Sequence, residues 1–202
     1  MNFPMLYQSR SEIKNLTDGL EDLIASARGG DDEAFGVIFE QHSRFVYKFI
    51  YAMLGERGAA EELTQETFLA AYKSIHGLRG EARLRTWLCG IAKNVVYKSL
   101  RSRRKEGLQS GEKIESLGAA DDKKLSPDEE FLSKELNHLI RSALAELDED
   151  KRLVFTLKEL QHLSYKEISE ITGCAIPKLK TDLRRAKIEM RRALRPYLEA
   201  KQ

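Results

Sequence analysis

Three sets of polar side chains fall at helical spacing, and each suits a different contact. Lys180, Arg184, Lys187 and Arg191 form a cationic stripe about 100° round a helix from the apolar stripe Leu179, Leu183, Ala186 and Met190, given about 3.6 residues per turn. Such a helix packs with one face and offers the neighbouring face to a polyanion. Trp87, Asn94, Lys98 and Arg101 share a second face that holds an aromatic ring, an amide and two cations. Those groups engage single-stranded DNA, where bases stack on rings and cations follow the backbone. Trp87 taken alone fits a core position better than a stacking platform. Glu61, Glu62, Gln65 and Glu66 cluster on the outside of a third helix. Acids in a first turn favour the helix dipole, and four acceptors on one exposed face also suit docking of a basic partner; the spacing allows both.

The cationic stripe needs an element to aim it. Ser164 with Glu167 three residues later is a capping box, and Ile168 and Ile171 fall on one face of the short helix it opens. Gly173 ends that helix. Pro177 lacks an N–H and has φ preset for a first turn, so the next helix starts close to Ile176. Helix, glycine turn and helix with a basic outer face is the pattern of a helix-turn-helix, whose second helix lies in the major groove. Two amphipathic helices with a solvated basic face also occur in proteins that bind no DNA, so this window leaves both readings open. The Trp87 set is aimed differently. A basic loop over residues 77–85, GLRGEARLR, leads into Thr86, read as the cap of a helix to about Arg101 that buries Leu84, Leu88, Ile91 and Val95. The run LRSRRK that follows has no apolar reason to exist, and phosphate contact is its best explanation.

The 202 residues suffice for one large domain or two small ones. A third of them are charged, glycine and proline are sparse, and no segment alternates strictly, which predicts an all-α protein. A net charge of +2 would by itself predict no polyanionic partner. Its distribution says more: residues 93–105 and 178–195 are basic, while Glu61, Glu62 and Glu66 and residues 112–130 are acidic, as expected for one surface toward a polyanion and another toward a different partner. Cys89 and Cys174 have no CxxC spacing, and His42, His76, His138 and His162 are dispersed, so neither a disulfide framework nor a metal or cofactor site is predicted. A reducing cytoplasm is the natural setting. The opening MNFPMLYQSR lacks a signal-peptide layout, and no apolar run approaches a membrane span.

Along the chain, residues 1–20 show no strong periodicity. Helical patterning starts at Glu21, with Leu23, Ile24 and Ala27 before Gly29 and Gly30. Asp31 and Asp32 are cap candidates for a helix with Phe35, Ile38, Phe39, His42, Phe45, Phe49 and Met53 on one wide face, where His42 is read as a packed core histidine. A helix from Ala60 to Ile75 buries Leu63, Thr64, Thr67, Phe68, Ala71 and Tyr72. Residues 105–126 read as a linker. Ser126 and Pro127 then open a helix carrying Leu132, Leu136, Leu139, Ile140, Ala143 and Leu147, and a short helix spans about 149–160.

Two blocks of sequence resemble a known family. DDEAF, ELTQETFLAAYKSI and LRGEARLRTWLCGIAKNVVYKSLRSRRK in the first half, and ALAELDEDKRLVFTLKELQHLSYKEISEITGC with its basic helix in the second, are similar in order and spacing to the two-domain bacterial sigma factors of the extracytoplasmic-function (ECF) group. The resemblance implies an N-terminal extension over residues 1–20, sigma domain 2 over 21–104, a linker over 105–126 and sigma domain 4 over 127–202. It implies that Glu62, Gln65 and Glu66 dock on the clamp helices of the RNA polymerase β′ subunit, and that domain 4 meets the β flap. It assigns Arg79, Arg83, Arg85, Trp87, Asn94, Lys98 and Arg101 to reading and melting the minus-ten promoter element, and Lys178, Lys180, Thr181, Asp182, Arg184 and Arg185 to the minus-thirty-five element. An anti-sigma factor is implied as a further partner, and no enzymatic chemistry is. The family commonly has a small residue and a threonine where this chain has Pro177 and Lys178, and arginine where it has Asp182, so the expected base preference differs.

Overall fold

Gly55 and Gly173 mark where two of the helices stop. Both are left-handed, at φ 74° and 72°, a conformation only glycine takes at low cost, and each returns its N–H to the carbonyl four residues back. The computed structural model describes residues 10–78, 84–110 and 127–199. Eight α-helices run through them: α1 Arg10–Arg28, α2 Asp32–Leu54, α3 Arg57–Ser74, α4 Leu84–Ser110, α5 Pro127–Glu146, α6 Glu149–Phe155, α7 Tyr165–Thr172 and α8 Ile176–Glu199. The described residues contain no strand, in agreement with the all-α expectation.

Side-chain caps set the helix starts. The Asp31 carboxylate accepts from the Glu33 and Ala34 N–H groups at 3.0 and 3.1 Å, and Asp148 accepts from that of Lys151 at 2.9 Å. The expected capping box is present: the Glu167 N–H donates to Ser164 Oγ, and the Ser164 N–H donates to Glu167 Oε2.

Several boundaries differ from the sequence expectation. α1 begins at Arg10, so part of the predicted extension is helical. α3 starts at Arg57, which moves Glu61 and Glu62 out of the first turn and removes the dipole argument for them. α4 starts at Leu84, so Thr86 is inside the helix and does not cap it; its hydroxyl is buried and donates to Glu167 of α7 at 3.4 Å. The same helix continues to Ser110, because residues 101–106 are good helix formers and one glycine at 107 costs only about 1 kcal/mol. The predicted short helix is α6 followed by a π-helical turn over Thr156–Leu160.

α1 to α4 form one bundle and α5 to α8 a second. In the first, Ile38, Val46, Phe49, Ile50 and Met53 of α2 pack with Ala60, Phe68, Leu88, Ala92 and Val96 of α3 and α4. In the second, Ile168 and Ile171 of α7 meet Leu179 and Leu183 of α8, while Ala143 and Leu144 of α5 and Leu147 just after it meet Ala186 and Met190 of α8. The bundles touch. α4 packs against α7, α2 reaches α5, α6 and the π-helical turn, and buried residues of both join one apolar cluster.

Candidate nucleic-acid interface and docking face

α8 aims the cationic stripe as its spacing predicts. Leu179, Leu183, Ala186 and Met190 are all buried, and Thr181, Arg184 and Ile188 lie on the opposite side, within about 60° of one another. Arg184 and Arg185 are exposed, and no carboxylate among the described residues pairs with either. Lys180 lies over the Tyr165 ring, 5.7 Å from its centroid, and Thr181 donates to the Pro177 carbonyl at 3.0 Å. Lys178 and Asp182 are occupied with each other. The Lys178 ammonium reaches Asp182 at 2.7 Å and Asp150 of α6 at 3.3 Å, and the hydrogen bond to Asp182 holds its pKa above the ordinary lysine value. Asp182 exposes only 13% of its side chain, so this anion is turned toward its own helix flank and away from a ligand.

On α4, Asn94, Lys98 and Arg101 are exposed at i, i+4 and i+7, on one face. Asn94 and Arg101 line a cavity of about 290 Å³ with Lys93, Tyr97, Asp150 and Lys178, and the cleft continues past Lys98 and Lys105. Trp87 is half-buried and packs against the apolar cluster, the core placement its type favours. Tyr97 is the aromatic ring that lines this cleft, and its signal is its register three residues after Asn94 and four before Arg101. Burial, then the Asp150 and Glu149 charges, push its phenol up to about 12. Arg85 lies 4.1 Å over the Phe45 ring. Burial and the nearby Arg85 charge lower the His42 pKa, and its Nε2 is enclosed without a hydrogen-bond partner. Arg79 and Arg83 lie outside the described residues.

Glu62 and Gln65 are exposed and Glu66 half-exposed on α3, where Glu66 accepts from Lys98 of α4 at 3.0 Å. This pair joins the acidic face to the cationic one. Leu69 is 62% exposed, four residues on from Gln65, and adds an apolar side chain to the acidic face; Phe39 and Tyr72 are exposed as well. Tyr72 departs from the core position expected of it. Its ring sits at the rim, edge-on to Phe35 at 5.1 Å, with its hydroxyl donated to Asp32 at 2.6 Å. The signal for Leu69 is present in its register with Gln65 and Glu66; that for Phe39 is hidden, because its helix face reads as uniformly apolar. Among the described residues no group of histidine, cysteine and acidic side chains is placed to hold a metal ion, and no helix is long and apolar enough to cross a membrane.

The two bundles correspond to two family models. The Sigma-70 region 2 model matches residues 38–106, and the Sigma-70, region 4 model matches residues 137–190. The chain is 28% identical over 190 residues to the ECF RNA polymerase sigma-E factor of Haemophilus influenzae, covering 92% of this chain and 99% of that protein. It is 29% identical over 183 residues to the ECF RNA polymerase sigma factor SigW of Bacillus subtilis, covering 85% and 95%. The sigma factor RpoE in complex with the anti-sigma factor NepR from Bartonella quintana superposes with a TM-score of 0.69 at 25% identity, covering 80% of this chain and 96% of that one. With both regions matched in order, and relatives aligned along nearly their whole length, the chain belongs to the sigma-70 family, as a sigma factor of the extracytoplasmic-function group.

Proposed function

We propose that this sigma factor binds core RNA polymerase through the α3 face built from Glu62, Gln65, Glu66 and the apolar Leu69, and reads a promoter with two separate surfaces. Asn94, Lys98 and Arg101, with Arg85 in the first turn of α4 and Arg79 and Arg83 ahead of it in the sequence, engage the minus-ten element and hold it melted. Lys180, Thr181, Arg184 and Arg185 engage the minus-thirty-five element; Lys178 and Asp182 would reach a base only by exchanging their mutual ion pair. The working division is domain 2 over residues 21–104, a connecting segment over 105–126 and domain 4 over 127–202. α1 and α4 extend as helices beyond those bounds.

One observation carries this reading: an acidic and apolar docking face and a cationic reading face sit side by side on α3 and α4, joined by the Glu66–Lys98 pair, in a chain that also contains a basic-faced helix-turn-helix. A stand-alone DNA-binding regulator needs no such acidic face. The protein itself then supplies binding energy and base discrimination and no catalysis, and it works in the cytoplasm, where polymerase and chromosome are. The Bartonella relative was solved with an anti-sigma factor bound, which supports the same class of regulator for this chain.

The test is in vitro transcription with core polymerase and a genomic promoter library. New start sites should appear on adding the protein; none, with a known sigma factor active in parallel, would reject the reading. Replacing Glu62 and Glu66 with lysine should abolish polymerase binding while the far-ultraviolet circular dichroism spectrum stays unchanged. Full retained affinity would remove the docking face.

A further inference from the structure

The cleft beside α4 has two chambers of unlike chemistry. The inner one, about 290 Å³, is walled by Asn94 and Tyr97 of α4 and, opposite them, by the buried Leu153 and Val154 of α6 and Leu179 of α8. Its cations are already engaged: Lys93 donates to the Ile171 carbonyl at 2.8 Å, and Lys178 is held by Asp150 and Asp182 at 3.3 and 2.7 Å. The outer chamber, about 480 Å³, shares Asn94, Tyr97 and Arg101 with the inner one and adds Lys98 and Lys105. Arg101 and Lys105 are exposed, and no carboxylate among the described residues pairs with either. Lys98 pairs with Glu66 while 79% of its side chain is in solvent, and an exposed pair of this kind exchanges at little cost.

The two chambers together select a ligand with a flat, uncharged end and an anionic end. A bare anion finds its partners in the outer chamber and leaves the inner one unfilled. A neutral apolar molecule leaves Arg101 and Lys105 unused. The inner volume lies at the lower end of ligand cavities, enough for a nucleobase and too small for a whole nucleotide. Tyr97 is a ring on which a base stacks, and the Asn94 amide is the group that pairs with an adenine edge. Asp150 on the inner wall repels phosphates and can accept from a ribose hydroxyl, as acidic residues do in dinucleotide sites. Lys98, Arg101 and Lys105 follow at i, i+3 and i+7 along about 10 Å of helix, a row that a chain of phosphates reaches and a single phosphate does not. We propose that this cleft binds a free nucleoside polyphosphate, with its base against Tyr97 and Asn94 in the inner chamber and its phosphates on Arg101, Lys105 and Lys98. Promoter reading uses the α4 face alone, whereas this site is complete only with α6 and α8 as its opposite wall, so the proposal does not rest on that reading.

Cys174 reports on the inner chamber, because it lines that chamber and is half-buried, while Cys89 is buried. Alkylation of the full chain by iodoacetamide in about 1 mM ATP should slow at Cys174 at least about fivefold, the effect of about 80% occupancy. Tripolyphosphate at the same concentration has the phosphates without the base and should leave the rate unchanged. By calorimetry, Tyr97→Leu should weaken ATP at least about tenfold and leave tripolyphosphate unaffected, and Arg101→Ala with Lys105→Ala should weaken both. If circular dichroism shows Tyr97→Leu to be unfolded, Asn94→Ala at its exposed position replaces it, with the same expected discrimination. No saturable ATP binding up to about 1 mM overturns the proposal. So does ATP binding that leaves Cys174 unprotected, or that tripolyphosphate matches in affinity, since either reduces the site to charge attraction along α4. A chain that drives transcription and fails these tests keeps its proposed function and loses this site, so the two results are independent.

Discussion

α4 and α8 are the two long basic helices of this protein, and they differ in what their charges meet. α4 lies between partners, packed on α2, α3 and α7, and its cations are mostly engaged: Lys93 with a carbonyl, Lys98 with Glu66, Arg103 with Glu56 at 2.6 Å and Arg104 with Glu149. α8 is buried along one stripe only, and Arg184 and Arg185 face outward unpaired with any described carboxylate. Its engaged cations are at its edges, with Lys178 on Asp150 and Asp182, and Lys187 on Glu159 at 2.9 Å. The difference shows that a basic helix reveals little about availability until its neighbours are known. Arg184 and Arg185 of α8 are exposed as they stand. α4 must first give up intramolecular partners.

The widest gap between the two helices should appear in stability. Leu88 is fully buried inside three-sided packing, so Leu88→Ala should cost about 4–5 kcal/mol, against about 2–3 kcal/mol for Leu183→Ala on the one-sided α8, read from urea midpoints. Equal losses would remove the contrast. Charge comes next. Lys180→Ala with Arg184→Ala should weaken upstream duplex binding at least about tenfold and reduce the slope of log affinity against log salt by about 1.8, since each phosphate that a cation neutralises contributes about 0.9. An unchanged slope would exclude these residues as phosphate ligands.

A smaller effect concerns Tyr97 of α4. Burial raises its folded pKa above the usual 10 to about 12, so folding favours the neutral phenol. The sign follows from proton linkage: this stabilisation is complete below about pH 10 and is lost as pH rises to about 12. Ultraviolet titration of wild type against Tyr97→Phe should assign a late-ionising phenol to Tyr97. Because Asp150 and Glu149 of the second bundle contribute to the shift, opening the interface should move that ionisation back toward 10. The smallest effect is on thiols. Cys89 of α4 is buried and its pKa is pushed up to about 12, whereas Cys174 beside α8 is half-buried; Cys174 should be alkylated first, and Cys89 only as fast as the protein unfolds. Simultaneous labelling would show α4 to be less enclosed than its packing implies.

Much of the helix order was legible because each signal is local. The Ser164–Glu167 box, the Gly173 stop, Pro177 in the first turn and Pro127 at the start of α5 each act through a few neighbouring backbone groups, and all are where the spacing put them. Errors arose where a distant residue took the side chain. Thr86 resembles a cap, but Glu167 accepts its hydroxyl from 81 positions away. Tyr72 has core register, but Asp32 draws its hydroxyl to the surface from 40 positions away. The pairing of Asp182 with Lys178, by contrast, is local, four residues apart on α8.

The amino-acid sequence by itself determined the helices, their capped ends, the stripes that pack them and the two matched regions, because periodicity and capping are written within a few turns of chain. Tertiary structure decided which polar groups remain available. A cation's affinity for phosphate depends on the carboxylates and carbonyls already around it; for Lys93 and Arg104 those partners come from other helices, and Lys178 has one on its own helix and one on α6. The same packing added Leu69 and Tyr97 to surfaces that charge pattern alone had marked out only in part.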